Sequence, residues 1–526
     1  MTKLPNKSAA LIHLSASVLE FWDSLARISV SSDSASNWNS LCNLFFDKLQ
    51  TLAVPVFFSV ESDTESSKYI LELLSKSDLS IQKVEYSHEL TILHDLFLNK
   101  KFENVVYFNS IYPLLDFQVL GNVVDMHTEY GADYSYGENI PPGVVPPIFG
   151  ASIMEALRIQ EGEKETLSNL PIPLSSYVEK NLNNFHVEIH YELPDLRMLR
   201  LNFNCKNLRS VDLTCKTIDE TPNAERVYEQ LEGLLQKKPD LTFQFPSYLE
   251  LEIFGGCEYD CSFCFRRQIT PVGNALSLEN IDSILEFIQN GLDDTSVGIG
   301  GLGEPLQHPE AKQIIEKFLG DEKIQTVVVE TNGLYLEKVI DLFQHPSASK
   351  LRFVININSI KNYPQMHGTV VENREKVFSN LEKVSKVLTE QKPELLSNIH
   401  IQMLKIVDNE TEVDDIFELS QNMNFSFLLQ KYNSYAGSLE EKRVSDMTPL
   451  ERTFCWHLQR DLYINSDGEV QFCKQSGGTK SRGNINSNKI SDIWLSQKSD
   501  WVDNYNRKYP KSPACESCDE YFTFNL

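Results

Sequence analysis

The sequence contains few basic residues and no long hydrophobic run. Lys and Arg together number 48, against 74 Asp and Glu, so the net charge is −26. A chain of this charge lacks the basic face that binding to a nucleic-acid backbone requires, and we expect no nucleic-acid partner. No run of about 18 apolar residues occurs, so the sequence predicts no helix that spans a membrane.

Cysteine is scarce outside two regions of the chain. Of the ten cysteines, Cys42, Cys205 and Cys215 are isolated, whereas the other seven are clustered. Clustering in a chain of 526 residues favours metal binding in a reducing compartment over a disulfide framework. Polar residues interrupt the first apolar run, and no clear cleavage site follows it. We therefore expect a cytoplasmic protein.

The length of the chain predicts several domains, because 526 residues exceed what one hydrophobic core supports. We predict domains at residues 1–240, 241–445 and 446–526. In the first, apolar runs at 54–60 and 104–108 have the composition of buried strands, with helical patterns between and after them. This alternation predicts an α/β layer.

Cys257, Cys261 and Cys264 lie within one segment of eight residues, in the spacing C-x3-C-x2-C. The alternating residues 248–254 before them predict a strand, and Gly255-Gly256 allows a sharp turn. Three thiolates at one point can hold an iron–sulfur cluster and leave one iron open to a substrate or cofactor. Zinc is disfavoured because it takes four ligands and no further Cys or His lies nearby in the sequence.

Residues 241–445 alternate regularly between strand-like and helical patterns. After the strand before Cys257, further strands are predicted at 295–300, 324–330, 350–357, 398–407 and 425–430. Helices are predicted between them, including one at 336–343. These six β/α steps predict a partial parallel barrel, in which chemistry lies at the C-terminal ends of the strands.

The last four cysteines form two pairs. Cys455 and Cys473 flank an alternating segment around Asp467-Gly468, which predicts a hairpin that brings these two cysteines together. Cys515 and Cys518 form a C-x2-C pair. Four thiolates can bind one closed 4Fe–4S cluster or one zinc ion.

These features resemble the radical S-adenosylmethionine (SAM) enzymes, whose motif is C-x3-C-x-aromatic-C, and Phe263 is the aromatic residue here. The resemblance implies a 4Fe–4S cluster on the three cysteines, with SAM on the open iron. Residues 300–305 match the family's Gly-Gly-Glu-Pro motif, with Leu302 where Gly is usual, which implies that Glu304 contacts the amino group of SAM. The residues implied to bind SAM are Phe263, Gly303, Glu304, Asn332, Asn356 and Asn409.

Several polar residues near the predicted strand ends have a structural interpretation beside a functional one. The arginines after Cys264 either neutralise a carboxylate or form a solvated pair. The histidines either transfer protons or are structural. The residues whose roles remain open are Arg266, Arg267, His308, Asn358, His367, Gln402 and Lys405.

Residues 446–526 resemble the SPASM domain, an auxiliary iron–sulfur module of radical SAM enzymes that modify peptides and proteins. Gly483-Asn-Ile485 and Ile490-Ser-Asp-Ile-Trp494 are typical of it. Full versions carry more cysteines than the four present here, so we expect one auxiliary cluster, on Cys455, Cys473, Cys515 and Cys518. The resemblance fits the spiro-SPASM subgroup, which also carries a long N-terminal extension.

The N-terminal part resembles a sugar-nucleotide cytidylyltransferase-type domain in the order of its motifs. A strand is followed by Pro-Leu-Leu-Asp116, a helix, Gly-Ala-Asp133 and Pro-Pro-Gly143. The Gly-rich basic loop of such enzymes is missing, and Asn109 stands where they carry a metal-binding Asp. We therefore expect a degenerate nucleotidyltransferase-like domain that docks or recognises a ligand.

The resemblance implies an enzyme that reductively cleaves SAM to a 5′-deoxyadenosyl radical and removes hydrogen from a peptide or protein. A reductant such as flavodoxin or ferredoxin is expected as a partner. One alternative is radical modification of a small molecule, such as a sugar-nucleotide or a cofactor precursor. Another is an iron–sulfur or zinc scaffold without catalysis.

Overall fold

The structure is a computed structural model that describes residues 4–29, 34–61, 81–86, 88–161, 172–221, 226–269, 274–476, 481–509 and 513–522. The chain divides into two compact units, residues 1–242 and 243–526. Each unit has its own sheet.

The first unit is built on a seven-stranded sheet in the order β3-β2-β1-β4-β6-β5-β7. Its strands are β1 (Ser8–Leu14), β2 (Val56–Val60), β3 (Ile81–Tyr86), β4 (Asn104–Phe108), β5 (Tyr134–Gly137), β6 (Ile148–Gly150) and β7 (Val187–His190). Strand β6 runs antiparallel to β4 and β5, and the other pairs are parallel. Strand β1 is buried along its whole length, as expected for a strand between two parallel neighbours.

Helices cover this sheet, which confirms the predicted α/β class. They are α1 (Ala16–Ser29), α2 (Ser34–Thr51), α3 (Glu89–His94), α4 (Phe117–Tyr130), α5 (Ile153–Glu161), α6 (Leu174–Lys180), α7 (Leu208–Glu220) and α8 (Val227–Lys237). Helix α4 shows why the chain folds this way locally. The Asp116 side chain accepts hydrogen bonds from the backbone of Gln118 and Val119 and caps its start. Gly131, in the left-handed conformation, ends it.

The second unit contains the predicted partial barrel. Its six parallel strands follow one another in sheet order and are β8 (Tyr248–Leu251), β9 (Thr295–Ile299), β10 (Ile324–Thr331), β11 (Leu351–Asn356), β12 (Ile399–Lys405) and β13 (Ser426–Lys431). The α-helices among them are α9 (Leu278–Gln289), α10 (Ala311–Leu319), α11 (Tyr363–His367), α12 (Val371–Gln391) and α13 (Val413–Asn422).

The helix predicted at 336–343 is wrong, because this segment forms two 3-10 turns, Leu336–Lys338 and Ile340–Gln344. The buried residues of this segment are Leu336, Val339, Leu342 and Phe343. Their spacing fits either kind of helix, so the apolar pattern does not distinguish a 3-10 helix from an α-helix here.

The C-terminal segment extends the barrel sheet at the β8 edge. Strand β14 (Asp461–Ile464) runs parallel to β8, and the antiparallel strands β15 (Glu469–Gln471) and β16 (Gly483–Asn484) follow. The predicted hairpin is therefore present, with Gly468 at a φ of +77° in its turn. The helices here are α14 (His457–Arg460), α15 (Ile490–Ser496), α16 (Lys498–Tyr505) and α17 (Pro513–Glu516). Over the described ranges, no helix has the length and apolar character needed to cross a membrane.

Candidate active site

A cavity of about 200 Å³ lies at the C-terminal ends of the barrel strands. Each of the six strands from β8 to β13, or the loop that follows it, contributes to its lining. The predicted site residues that line it are Cys257, Cys261, Phe263, Cys264, Gly303, Glu304, Asn332 and Asn356. The fold thus brings together residues that are far apart in the sequence.

The cysteine loop is held in place by backbone hydrogen bonds. Its Ser262 N–H donates to the carbonyl of Met366 at 3.1 Å, and the Cys264 N–H donates to the carbonyl of Cys261 at 3.1 Å. Burial raises the pKa of the Cys257 thiol to about 12 and also raises the pKa of the Cys264 thiol. The thiols are therefore protonated at neutral pH until a metal displaces their protons.

The two arginines after Cys264 have structural roles in this loop. Arg266 donates to the carbonyl oxygen of Cys257 at 3.1 Å. Arg267 forms a bidentate pair with the Asp260 carboxylate, with both contacts at 2.9 Å. These contacts disfavour the interpretation in which the two arginines neutralise a carboxylate of a ligand.

His367 is a site residue whose role the sequence left open. Its Nδ1 lies 3.7 Å from the Cys261 sulfur, and its Nε2 accepts a hydrogen bond from the Asn358 N–H at 3.2 Å. Burial lowers the pKa of His367 to about 3, so the ring is neutral and carries its proton on Nδ1, facing the sulfur. A hydrogen bond of this kind orients a metal ligand and tunes its basicity.

His308 has a structural role instead. Its Nε2 lies 3.0 Å from the carbonyl oxygen of Leu276, and its Nδ1 accepts a hydrogen bond from the Glu310 N–H at 3.0 Å. Both ring nitrogens are therefore used to fix loops of the barrel.

The Gly-rich turn after β9 packs against the start of the cysteine loop. A Cβ at Gly303 would lie 1.8 Å from the carbonyl oxygen of Phe254, so only glycine fits there. The Glu304 N–H donates to the carbonyl of Gly256 at 2.7 Å. Leu302, which replaces the usual Gly, still lines the cavity, and its N–H donates to the Glu252 carboxylate at 2.7 Å.

Glu304 is a buried carboxylate at the wall of the cavity. It accepts hydrogen bonds from the Leu306 N–H at 3.0 Å, the Thr331 hydroxyl at 2.7 Å and the Asn332 N–H at 2.8 Å. Burial raises the pKa of Glu304 to about 7, although these bonds oppose the shift. A carboxylate offers about four acceptor positions, so one remains for an ammonium group.

The amide side chains at the next strand ends are held by further hydrogen bonds. The Asn332 Oδ1 accepts from the Leu334 N–H at 2.9 Å, and its Nδ2 lies 4.0 Å from the Cys257 sulfur. The Asn356 Oδ1 accepts from the Gln402 Nε2 at 2.7 Å, and both side chains line the cavity. Gln402 is thus a site residue, whereas Lys405 is not among the lining residues.

Asn409 does not line this cavity, and its prediction as an adenosine contact is not supported. Its side chain is completely buried. The amide donates to the carbonyls of Asn358 and Leu404 and accepts from the Ile406 N–H, at 2.8, 2.9 and 2.9 Å. Asn409 instead closes the loop after β12, because all its polar atoms are used inside the protein.

Three charged residues that the sequence did not single out lie beside the site. Lys474, directly after Cys473, has its ammonium 2.9 Å from the Glu250 carboxylate on β8. Lys474 lines the cavity together with Glu330 from β10, and the carboxylates of Glu250 and Glu330 raise the pKa of Lys474 despite its burial. No sequence pattern indicates that a lysine in the C-terminal segment lies close to carboxylates on two barrel strands.

We expect Lys474→Met to destabilise the protein by about 3–5 kcal/mol, the usual effect of removing one partner from a buried ion pair. The substitution leaves the buried Glu250 carboxylate, and Glu330 near it, without this cation. The measurement is the free energy of unfolding in urea, under anaerobic conditions.

Lys312→Met is the matched control for this prediction, because Lys312 pairs with Asp341 on the surface. It is expected to cost less than about 1 kcal/mol. Glu250→Gln combined with Lys474→Met should recover part of the loss. Equal effects of the two lysine substitutions would contradict the predicted role of the buried pair.

The four C-terminal cysteines lie close enough together to interact electrostatically. Burial raises the pKa of the Cys455 thiol to about 12, with smaller contributions from Cys518 and Cys515. Burial also raises the pKa of Cys473, and the other three thiols add to this shift. The Asn504 side chain holds the Cys455 backbone at both its N–H and its carbonyl, at 3.1 and 3.2 Å. In the described parts of the chain, no group of three or more His, Cys, Asp or Glu is arranged to hold a metal ion as it stands.

Comparison with known families agrees with this geometry. Residues 251–419 match the model of the radical SAM superfamily, and residues 455–519 match SPASM, described as an iron–sulfur cluster-binding domain. This chain contains a radical SAM domain followed by a SPASM domain. The radical SAM domain implies a 4Fe–4S cluster and SAM, and the SPASM domain implies auxiliary iron–sulfur binding.

Several known proteins are similar to this chain. A protein of Treponema pallidum (strain Nichols), named only as uncharacterized, is 24% identical over 66% of this chain and 97% of its own length. The GTP 3′,8-cyclase of Actinobacillus pleuropneumoniae serotype 5b (strain L20) is 23% identical over 43% of this chain and 76% of its own length. Among solved structures, Streptococcus suis SuiB bound to the precursor peptide SuiA is 15% identical and has a TM-score of 0.40, covering 70% of this chain and 82% of that one.

The residues of the barrel cavity fit the groups that a radical SAM domain implies. Three thiols on one loop provide the sulfur donors that iron–sulfur clusters take. The buried Glu304 provides an acceptor for an ammonium group. The amides of Asn332, Asn356 and Gln402 provide donors and acceptors for hydroxyl groups.

Proposed function

We propose that this radical SAM enzyme modifies a peptide or protein substrate in the barrel cavity. The observation that carries the proposal is the chemistry of the lining. Six residues with neutral carboxamide side chains line the cavity: Asn332, Asn356, Asn358, Gln402, Gln430 and Asn433. A carboxamide both donates and accepts hydrogen bonds, and so does a peptide group.

The charges of the lining support the same substrate class. Of the described lining residues, Lys474 carries the positive charge, and its ammonium is already paired with Glu250. Glu304 and Glu330 are acidic, and His367 is neutral because burial lowers its pKa to about 3. A cavity with this balance of charges attracts a neutral polar chain more readily than a polyphosphate, because a polyphosphate requires cations that neutralise its charge.

Within the proposal, Cys257, Cys261 and Cys264 would hold the cluster, and Glu304 would accept a hydrogen bond from the amino group of SAM. SAM, when bound, would supply radical chemistry able to remove hydrogen from an unactivated carbon. The protein residues orient the reactants and exclude water. His367 donates a hydrogen bond to the Cys261 sulfur. Gln402 donates a hydrogen bond to the Asn356 side chain and so orients its amide.

A second candidate is a small-molecule substrate, which the similarity to GTP 3′,8-cyclase over 261 residues favours. The acidic lining weighs against a nucleoside triphosphate. The two candidates differ in which compound raises the rate of SAM cleavage, so one assay compares them.

The experiment is anaerobic reconstitution with iron and sulfide, followed by SAM and dithionite. Production of 5′-deoxyadenosine is measured in three arms: without an added substrate, with a library of deuterated peptides, and with GTP. We expect the peptides to raise the rate and to transfer deuterium into 5′-deoxyadenosine. Stimulation by GTP without deuterium transfer from any peptide would move the small-molecule candidate ahead. Absence of 5′-deoxyadenosine in every arm would contradict both.

A further inference from the structure

Glu330 contributes a carboxylate to the lining of the barrel cavity. It is the second-to-last residue of β10, and its side chain lies over Gly300, which directly follows β9. A Cβ added at Gly300 would be 3.1 Å from the Glu330 Cβ and 3.4 Å from its carboxylate oxygen Oε2. The absence of a side chain at position 300 therefore leaves room for this carboxylate at the cavity.

The Glu330 carboxylate forms no hydrogen bond or ion pair with any other residue in the described parts of the chain. The nearby cation is Lys474, which is in direct contact with Glu250 at 2.9 Å. Burial lowers the pKa of Lys474, but Glu250 and then Glu330 raise it well above its usual value. Lys474 thus pairs with Glu250 and only interacts with Glu330 through space.

The remaining charges near Glu250 do not supply a cation for Glu330. Arg460 interacts electrostatically with Glu250, but its guanidinium donates to the Asp461 carboxylate at 3.0 Å. Three carboxylates, those of Glu250, Glu330 and Asp461, therefore accompany the two cations of this region. The excess carboxylate is the one that lines the cavity, which favours a cationic ligand group there.

Tyr435 is a second group of the lining that interacts electrostatically with Glu330. Its ring stacks flat on Phe265, with 4.5 Å between the ring centroids and 3° between the ring planes. Its backbone has a φ of +49°, a costly conformation for a residue other than glycine, and such strain is concentrated at functional sites. Its hydroxyl has no hydrogen-bond partner among the described residues and can accept from a cationic donor.

We propose that Glu330 and Tyr435 bind a basic side chain, of lysine or arginine, in the substrate. This inference rests on the proposed peptide substrate and names the part of the peptide that determines specificity. The carboxamides of the lining meet the peptide groups, and Glu330 supplies the charged acceptor that a cationic side chain requires. A neutral peptide that closed the cavity would leave this carboxylate buried without a partner, which is costly. The net charge of −26 also attracts a basic peptide to the chain.

The test compares two pools of deuterated peptides with the reconstituted full-length protein. The pools have the same sequences, except that each lysine of the first pool is replaced in the second by norleucine, which has a similar length and no charge. The measurements are the rate of 5′-deoxyadenosine formation against peptide concentration and the transfer of deuterium. We expect kcat/KM to be at least about tenfold higher for the lysine pool, mainly through a lower KM, because a charge-assisted contact is present.

Glu330→Gln should remove this preference by raising the KM for the lysine pool about tenfold, with little effect on the norleucine pool. Glu390→Gln is the matched control, since Glu390 is exposed near the end of α12, and it should keep the preference. Tyr435→Phe keeps the stacked ring and removes the hydroxyl. It should weaken the preference by a smaller factor, and it keeps the proposal testable if Glu330→Gln fails to fold.

The free energy of unfolding without peptide separates binding from a structural role. Because Lys474 keeps its contact with Glu250, Glu330→Gln should change stability little. A loss as large as that of Lys474→Met would assign Glu330 to the buried ion pair and overturn the proposal. Equal kcat/KM for the two pools with wild type would also overturn it, while peptide modification itself would stand. If neither pool raised the rate, the proposed peptide substrate would fail and this inference with it.

Discussion

Simultaneous replacement of Cys257, Cys261 and Cys264 by alanine is expected to abolish formation of 5′-deoxyadenosine. The three thiols lie on one loop that lines the barrel cavity, and no iron–sulfur cluster can be held there without them. The reconstituted variant should also contain about four fewer iron atoms per chain. The measurements are 5′-deoxyadenosine after mixing with SAM and dithionite, and iron content by colorimetric assay.

Cys215→Ala is the control for this result. Cys215 is half-buried in α7, far from both cysteine clusters in the sequence, so this variant should keep its iron and its activity. A triple variant that still formed 5′-deoxyadenosine at the wild-type rate would show that the cysteine loop is not the site of SAM cleavage.

The barrel and its cysteine loop could be predicted from the sequence because their signals are local. Buried parallel strands contain apolar runs, as at residues 327–329 in β10. The three cysteines lie within eight residues of one another. The turn with Gly303 and Glu304 is also a short motif, and the structure shows that close backbone approach to Phe254 requires the glycine.

The remaining site residues depend on contacts between distant segments. His367 reaches the Cys261 sulfur across 106 residues of sequence, and Lys474 joins the same cavity from the C-terminal segment. No spacing rule connects such residues. Asn409 was expected at the ligand because it follows a strand, whereas in the structure its amide holds the loop after β12 and the carbonyl of Asn358.

The N-terminal unit illustrates a similar limit. Apolar runs predicted the α/β class and the strands near 54–60 and 104–108, whereas the central strand β1 was not predicted. Asn109 does lie in a cavity at the strand ends. The lining of that cavity, however, includes Lys206, which lies far along the chain from β1 and β4. No local sequence pattern connects Lys206 with these strands, so the sequence did not indicate its place in the lining.

Replacement of Cys515 and Cys518 by alanine is expected to remove the auxiliary cluster and leave the SAM-binding cluster in place. Iron should fall by about four atoms per chain, because two thiolates cannot hold a closed cluster. The four thiols of the C-terminal segment interact electrostatically. Burial raises the pKa of the Cys455, Cys473 and Cys518 thiols, so metal binding must displace their protons. We choose this pair because Cys455 and Cys473 flank the hairpin that pairs with β8, and substitutions there also disturb the barrel edge.

The measurement combines iron and zinc content with electron paramagnetic resonance of the reduced protein. Wild type should show two overlapping cluster signals, and the double variant should show one, with cleavage of SAM still detectable. The triple variant at Cys257, Cys261 and Cys264 should show the complementary loss, which makes the two variants controls for each other. If the wild type instead contains about one zinc per chain that the Cys515 and Cys518 substitutions remove, the site is a zinc site, because four thiolates suit either metal. An unchanged iron and zinc content in the double variant would show that these cysteines bind no metal.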